Sequence, residues 1–378
     1  MKIAILSDGI YPYSIGGIQK YSFYLTKHLA RLGHKVLLIS TIGTNNKGVD
    51  QLLGEWEHKN IEFVGIDKYK LPYFPGHYIY ESYLVSKSIY DYLIQVHDID
   101  FIYSQGFTGW ATINNKMKNH KLPPVGVNLH GYNMYFKAPT LSAFLQNIIF
   151  RAVTKKLVNN ANYTFSLGCN TTKMLKNTGI AENRIVQTSN AIDKSWISGV
   201  YNGKNEVLKF LFIGRYERLK GVEELNKAIK KIHNKYDFEF NFIGNLPQEL
   251  KLNLSGIKYW GAINEEDRVK RIMKECDVIV LPSYSEGMPS VILEGMGMGL
   301  AVIATNVGEI GALVSDDNGW LIEPGDVELL SKTLTEAVNT PKSVLNSKKK
   351  YSQELVKKRF LWENVSNNIA SQIENIIN

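Results

Sequence analysis

The chain has 378 residues, more than one hydrophobic core usually supports, so two domains are expected. Hydrophobic residues make up 44% and charged residues 21%, a composition that excludes intrinsic disorder. The formal net charge of +8 favours anionic partners (nucleic acid, an anionic membrane surface or a phosphorylated substrate) without choosing among them.

The opening run Met1–Leu6 stops at Ser7, Asp8 and Gly9, and reads as a first buried strand and not as a signal peptide. Strands are expected over Lys2–Ser7, Lys35–Thr41, Ile61–Ile66, Phe101–Ser104, Val125–His130 and Asn162–Leu167. Helical periodicity fills the gaps, at Ile18–Leu32, Tyr78–Val96 and Leu141–Leu157. This alternation predicts a parallel sheet with helices on both faces.

The pattern then restarts. Strand Lys209–Ile213, helix Val222–Tyr236 and strand Phe238–Ile243 repeat the logic of the N-terminus. Ile257–Trp260, helix Glu265–Glu275, strand Asp277–Pro282, helix Ser290–Gly299, and strands Ala301–Thr305 and Gly319–Ile322 complete a second unit. The join falls near Ile192–Glu206, which holds Gly199, Asn202 and Gly203 and reads as a linker.

Cys169 and Cys276 are far apart, which fits a reducing compartment without a disulfide framework. His34 and His58 are isolated, no metal-ligand spacing is present, and no metal is expected. The run Lys348-Lys349-Lys350 reads as a solvated face. No apolar run approaches the ~20 residues of a spanning helix. A cytoplasmic protein is expected, with any membrane contact peripheral.

In open parallel sheets ligands bind beyond the carboxyl ends of strands, and the informative residues lie there. The loop Asp8–Gly17 joins the first strand to the first helix. Its Gly16 and Gly17 would let backbone approach an anion at the helix start, or simply form a strand–helix turn. It is not the Gly-x-Gly-x-x-Gly dinucleotide fingerprint, which counts against a nicotinamide cofactor. Gly214–Gly221 follows a strand of the second unit and carries Arg215, a forked donor, and Lys220, a mobile point charge, together suited to a diphosphate. The segment Ser283–Gly295 places Glu286 in a loop, Ser290 at the expected helix cap and Glu294 about one turn inside. Paired carboxylates near a sugar can bond its hydroxyls and shape charge at an oxocarbenium-like centre. Gly295, Gly297 and Gly299 end a helix and precede a strand, the reverse of the dinucleotide order, and read as packing. His130 at a strand end could bond a sugar hydroxyl or be a satisfied edge histidine.

These residues resemble glycosyltransferase family 4, whose fold is GT-B: two Rossmann-like α/β domains facing across a cleft. Gly214-Arg215 with Lys220-Gly221 is similar to its donor-phosphate motif, and Glu286 with Glu294 to its paired glutamates. Pro282-Ser283, Glu286-Gly287, Pro289, Val302–Thr305, Gly16-Gly17, His130, Asn190–Asp193 and Phe360–Glu363 extend the likeness. The resemblance implies an acceptor domain at 1–193, to which a helix at about 363–378 returns, and a donor domain at 207–362. It implies that Arg215 and Lys220 hold the diphosphate and stabilise the leaving nucleotide, that Glu294 bonds the ribose, and that Glu286 and the backbone after it hold the sugar. His130 would touch that sugar, and Gly16 and Gly17 the phosphates. The implied catalytic set is His130, Arg215, Lys220 and Glu286. The implied donor-binding set is Gly16, Gly17, Arg215, Lys220, Gly244, Glu286, Gly287, Met288, Pro289, Ser290, Val291 and Glu294. No cofactor is implied.

The chain departs from the family pattern at Asn245, Gly295, Gly297 and Ala301. The expected activity is retaining transfer of a hexosyl group from a nucleoside-diphosphate sugar to a glycan or lipid-linked acceptor, in surface polysaccharide assembly. Nucleic acid is not expected as a partner. A nucleotide-sugar 2-epimerase of the same architecture and a non-catalytic sugar-nucleotide-binding protein are the alternatives. Donor base, sugar and acceptor are left open. The segment Phe144–Lys156 interleaves apolar residues with Arg151, Lys155 and Lys156, as an interfacial helix would at the inner face of a membrane, or as a helix packed on the sheet would.

Overall fold

The computed structural model describes residues 1–14, 16–42, 59–74, 76–116, 122–135, 141–198 and 207–378. His58, most of the expected linker (199–206) and Ile15 of the first loop lie outside these residues. Two compact units are present. The first comprises Met1–His130, Ile148–Asn190 and Trp362–Asn378, and the second Gly131–Asn147 and Ala191–Leu361.

The first unit carries β1 (Lys2–Ser7), α1 (Gly17–Arg31), β2 (Lys35–Ile42), β3 (Ile61–Asp67), α2 (His77–Leu93), β4 (Phe101–Gln105), α3 (Trp110–Lys116) and β5 (Val125–Asn128). Helix α4 (Leu141–Asn160), which belongs to this unit from Ile148 on, β6 (Tyr163–Ser166), α5 (Cys169–Asn177) and β7 (Ile185–Gln187) follow. Its seven strands run in the order β3-β2-β1-β4-β5-β6-β7, and every pairing is parallel. Strands β1 and β4 are buried along their length apart from Lys2, with apolar residues from Ile3 to Leu6 and from Phe101 to Tyr103, as a parallel sheet covered on both faces requires.

The second unit begins with β8 (Leu208–Ile213), α6 (Val222–Ile232), β9 (Phe238–Ile243), β10 (Ile257–Tyr259), α7 (Glu266–Lys274) and β11 (Val278–Leu281). It continues with α8 (Ser290–Gly297), β12 (Ala301–Thr305), β13 (Gly319–Ile322), α9 (Val327–Asn339) and α10 (Lys342–Arg359). Its six parallel strands run β10-β9-β8-β11-β12-β13. Phe210, Phe240 and Phe242 stack along one face, with ring centroids 5.6 and 4.7 Å apart.

The last helix, α11 (Trp362–Ile377), belongs to the first unit. Trp362 anchors it there, with its ring 5.0 Å from Tyr21 and stacked on Tyr24 and His28 of α1. Both sheets reverse their strand order once, between β1 and β4 and between β8 and β11. At such a switch point adjacent loops diverge and leave a crevice at the strand ends.

Two readings of the sequence need correction. Lys349 is not on a solvated face. It is 2% exposed and its Nζ lies 2.9 Å from Asp277 Oδ1, so the middle lysine of the run is turned inward by the helical period and its charge is paired. Gly295, Gly297 and Gly299, in α8 and just past its end, do not share one role. A Cβ on Gly295 would come within 3.0 Å of Ile279, and on Gly297 within 2.7 Å of Ile192, so these two are packing positions. Gly299 instead stops the helix: its φ is +82°, and Leu300 N–H to Gly295 O with Gly299 N–H to Met296 O forms a Schellman pair.

Candidate functional site

In the second unit the switch point is flanked by the loops after β8 and β11. Lys220 stands in a single 3-10 turn (Arg218–Lys220) that leads into α6, and Glu286 in the loop before α8. Lys220 Nζ lies 2.7 Å from Glu286 Oε1, and Ser283 Oγ donates to the same oxygen at 2.7 Å. The loops are also joined by backbone, since Tyr284 N–H donates to Leu219 O at 2.7 Å.

Gly221 permits this approach. It is left-handed, with φ +69°, and a Cβ there would sit 2.0 Å from Pro282 O. Beside the ion pair, Arg218 makes a two-pronged contact with Glu224 at 2.8 and 2.6 Å and lies over the Tyr284 ring. Burial, the largest single influence, pushes the Glu224 carboxyl up, but the hydrogen bonds from Arg218, backbone and Tyr284, with the Arg218 charge, together outweigh it and leave the group below its ordinary value. Arg218 thereby braces the Lys220 loop.

A third loop supports Glu286 from behind. Gly308 has φ +56°, and its Cβ position is 2.1 Å from Glu286 O. Glu309, 1% exposed, donates its N–H to Gly287 O at 2.8 Å. The sequence reading has Ser283 within its strongest segment but gives it no role, and it misses Gly308 and Glu309 as parts of this site. The signal of these two is position alone, since they follow the carboxyl end of β12.

The remaining expected residues of this unit are placed as follows. Arg215 is 85% exposed, with Glu217 3.4 Å from its guanidinium. Gly244 ends β9 with φ +133°, and a Cβ there would meet Gly214 O at 2.0 Å, so the loops after β8 and β9 touch. Asn245, the departure from the family pattern, accepts the N–H of Ala262 at 3.1 Å and ties down the next loop. Ser290 is not the cap of α8. Pro289 holds the extended cap position and makes no side-chain bond, which leaves the first N–H groups of Ser290 and Val291 for a ligand. Met288 and Pro289 are buried, Gly287 and Val291 half-buried, and Glu294 is a half-buried residue of α8.

In the first unit, α1 starts at Gly17 with Gly16 in extended backbone before it. A Cβ on Gly17 would meet nothing within 4 Å, so the helix start is open. His130 lies beyond β5 in left-handed backbone, φ +58°. Its N–H donates to Asn128 Oδ1 at 3.1 Å, and the Tyr21 ring packs edge-on at 4.5 Å. Its Nε2 is hydrogen-bonded to Gln105 Oε1. Burial lowers its pKa to about 4, against a smaller upward pull from Asn190, so the imidazole is neutral near pH 7. No group of three or more potential metal ligands occurs among the described residues.

Two family models match the chain in succession: Glycosyltransferase Family 4 over residues 15–196, and Glycosyl transferases group 1 over residues 208–340. The chain belongs to glycosyltransferase family 4. It is 29% identical over 370 residues to a glycosyltransferase of Methanocaldococcus jannaschii, covering 93% of this chain and 92% of that one. Among solved structures, the transferase shares its fold with sucrose-phosphate synthase of Thermosynechococcus elongatus (TM-score 0.82, 18% identity, 99% and 98% of the two chains). It also shares it with Anabaena HepE in complex with UDP (TM-score 0.69, 18% identity, 99% and 100% covered). Both Rossmann-like units are thus those of a GT-B glycosyltransferase.

Proposed function

We propose that this transferase is retaining and moves a hexosyl group from a nucleoside-diphosphate sugar to a glycan or lipid-linked acceptor, in the assembly of a surface polysaccharide. The observation that carries the reading is the Lys220–Glu286 pair at the switch point of the second unit, beside the uncapped start of α8. A diphosphate needs cations and N–H donors, and a sugar needs carboxylates. Arg215, Lys220 and the N–H groups of Ser290 and Val291 take the diphosphate and stabilise the leaving nucleotide as charge develops. Glu294 bonds the ribose, and Gly244 lets the nucleotide approach the backbone. Glu286, with the backbone of Gly287, Met288 and Pro289, holds the sugar. The first unit supplies His130 for the sugar and Gly16 and Gly17 for the phosphates. The UDP held by HepE, a protein of the same fold, supports the donor class.

Retention follows in this account from a front-face, ion-pair-like substitution. The bond between the anomeric carbon and the diphosphate oxygen breaks, its electron pair leaves with the phosphate, and the acceptor oxygen enters on the same face. Its proton passes to the departing diphosphate. Glu286 is already bonded to Lys220 and Ser283, which supports a positioning role over that of a nucleophile. The test supplies uridine, guanosine and adenosine diphosphate sugars with and without a lipid-linked glycan acceptor. Nucleoside diphosphate release that requires acceptor, with a product of unchanged anomeric configuration, is expected. An inverted product contradicts retention, and an epimerised donor without transfer contradicts the transfer reading.

Contact with an anionic membrane is a second reading, carried by α4. Phe144, Leu145, Ile148 and Ile149 share one face of this helix and are 47, 56, 48 and 53% exposed. Arg151, Lys155 and Lys156 follow. Among the residues of this helix whose side chains are described, Thr154, Leu157 and Val158 are buried. No helix among the described residues is long and apolar enough to cross a membrane.

A further inference from the structure

Gln105 is the last residue of β4 and is 1% exposed. Its two amide atoms are treated unequally. Oε1 is bonded to His130 Nε2, whereas Nε2 is sealed from solvent and has no partner among the described residues. A buried amide N–H without an acceptor costs stability, and an apolar side chain of similar length would carry no such cost. What the glutamine contributes here is its carbonyl.

We propose that Gln105 is a positioning residue that fixes His130 as the neutral tautomer protonated at Nε2. A carbonyl oxygen only accepts, so the imidazole nitrogen facing it must carry the proton. Nδ1 is then left as an acceptor. The rest of the ring is held from other elements. Tyr21 of α1 packs edge-on, Asn128 of β5 takes the backbone N–H, and Asn190 bonds the side chain. Tyr21 is the titratable neighbour on this side, with the Tyr103 hydroxyl 3.1 Å behind it. Burial raises both phenols, so neither brings charge to the ring near neutral pH. With no ionic partner among the described residues, the tautomer is set by the two amides bonded to the ring, Gln105 at Nε2 and Asn190.

This inference rests on the assignment of His130 to the sugar, and the two are separable. Imidazole nitrogen shifts of the 15N-labelled full chain read the tautomer directly. A proton on Nε2 is expected, and a proton on Nδ1 overturns the inference. Gln105→Glu puts a carboxylate against the same N–H, and should raise the His130 titration by more than one pH unit. An unmoved titration overturns the inference. Gln105→Leu should mix the tautomers and lower kcat by ~10-fold, through lost orientation, with little change in donor KM. If His130→Ala loses turnover while Gln105→Leu keeps the wild-type kcat, this inference fails alone. If His130→Ala keeps full turnover, the sugar assignment fails, and the nitrogen shifts still decide what Gln105 does.

Discussion

Lys220 Nζ and Glu286 Oε1 lie 2.7 Å apart, and this ion pair links the loop after β8 to the loop after β11. Both groups are largely covered, with side-chain exposures of 25 and 10%. Their charges are therefore spent on each other until a ligand competes. A donor diphosphate would draw Lys220 away and free Glu286 for the sugar, which couples binding of the two halves of the donor.

The coupling is testable by a double-mutant cycle. Lys220→Ala should lower turnover by roughly a hundredfold, as for loss of one charge-stabilising donor. Glu286→Gln should impair transfer while sparing, or tightening, the binding of bare nucleoside diphosphate, because Lys220 is released. The double variant should fall short of the product of the single effects. Full additivity would show that the pair does not act as a unit.

Gly308 should be intolerant of any side chain. Gly308→Ala places a Cβ 2.1 Å from Glu286 O in left-handed backbone. The backbone penalty is about 1–2 kcal/mol and the overpacking about 1–3 kcal/mol. A fall in Tm of several degrees, with loss of transfer, is expected in thermal unfolding and rate measurements. Gly17→Ala is the contrast, since nothing lies within 4 Å of its Cβ. It should keep the wild-type Tm and still slow transfer if phosphate approaches the helix start there. Unchanged transfer removes Gly17 from the site.

Much of this was legible in the sequence. The alternation of short apolar runs with helical periods located the strands of both units, because parallel strands buried on two faces have no polar alternation to blur them. Arg215, Lys220 and Glu286 stand out as candidates because they lie in the loops after apolar strands, and Glu294 because it sits about one turn inside the next helix. The contacts among them were not. Nothing in the spacing shows that Glu286 meets Lys220, 66 residues away, since strand order decides that. Gly308 reads as an ordinary turn until the backbone behind it is seen. Lys349 was misread because composition shows a charge run, but not the buried Asp277 that receives its middle member.

Acid should destabilise the first unit through His130. Its ordinary pKa of 6.5 falls to about 4 in the folded chain. Between these values the unfolded chain binds a proton that the folded chain does not. This contribution is therefore fully present above about pH 6.5, falls as the pH drops, and is gone below about 4. Between pH 7 and 5 the wild type should lose about 2 kcal/mol more than His130→Asn. Denaturant unfolding at the two pH values checks this, and parallel losses in both proteins would contradict it.

Membrane contact through α4 should depend on charge as well as on its apolar face. Reversing Arg151, Lys155 and Lys156 to glutamate leaves Phe144, Leu145, Ile148 and Ile149 in place. Each basic group near an anionic surface gives ~1 kcal/mol. Sedimentation with anionic liposomes at low salt should fall sharply in the variant, and transfer to a lipid acceptor with it. Wild-type protein that ignores such liposomes would make this face something other than a membrane surface.

The most direct test of the donor site is calorimetric titration of uridine, guanosine and adenosine diphosphates into the wild type, Arg215→Ala and Glu294→Gln. The account predicts that one of the three nucleotides binds the wild type, and that each substitution weakens that binding by roughly tenfold or more, the loss of one charge-assisted contact. Equal affinity in all three proteins, or no binding by any of the nucleotides, would contradict the placement of the donor beside Lys220, Glu286 and the start of α8.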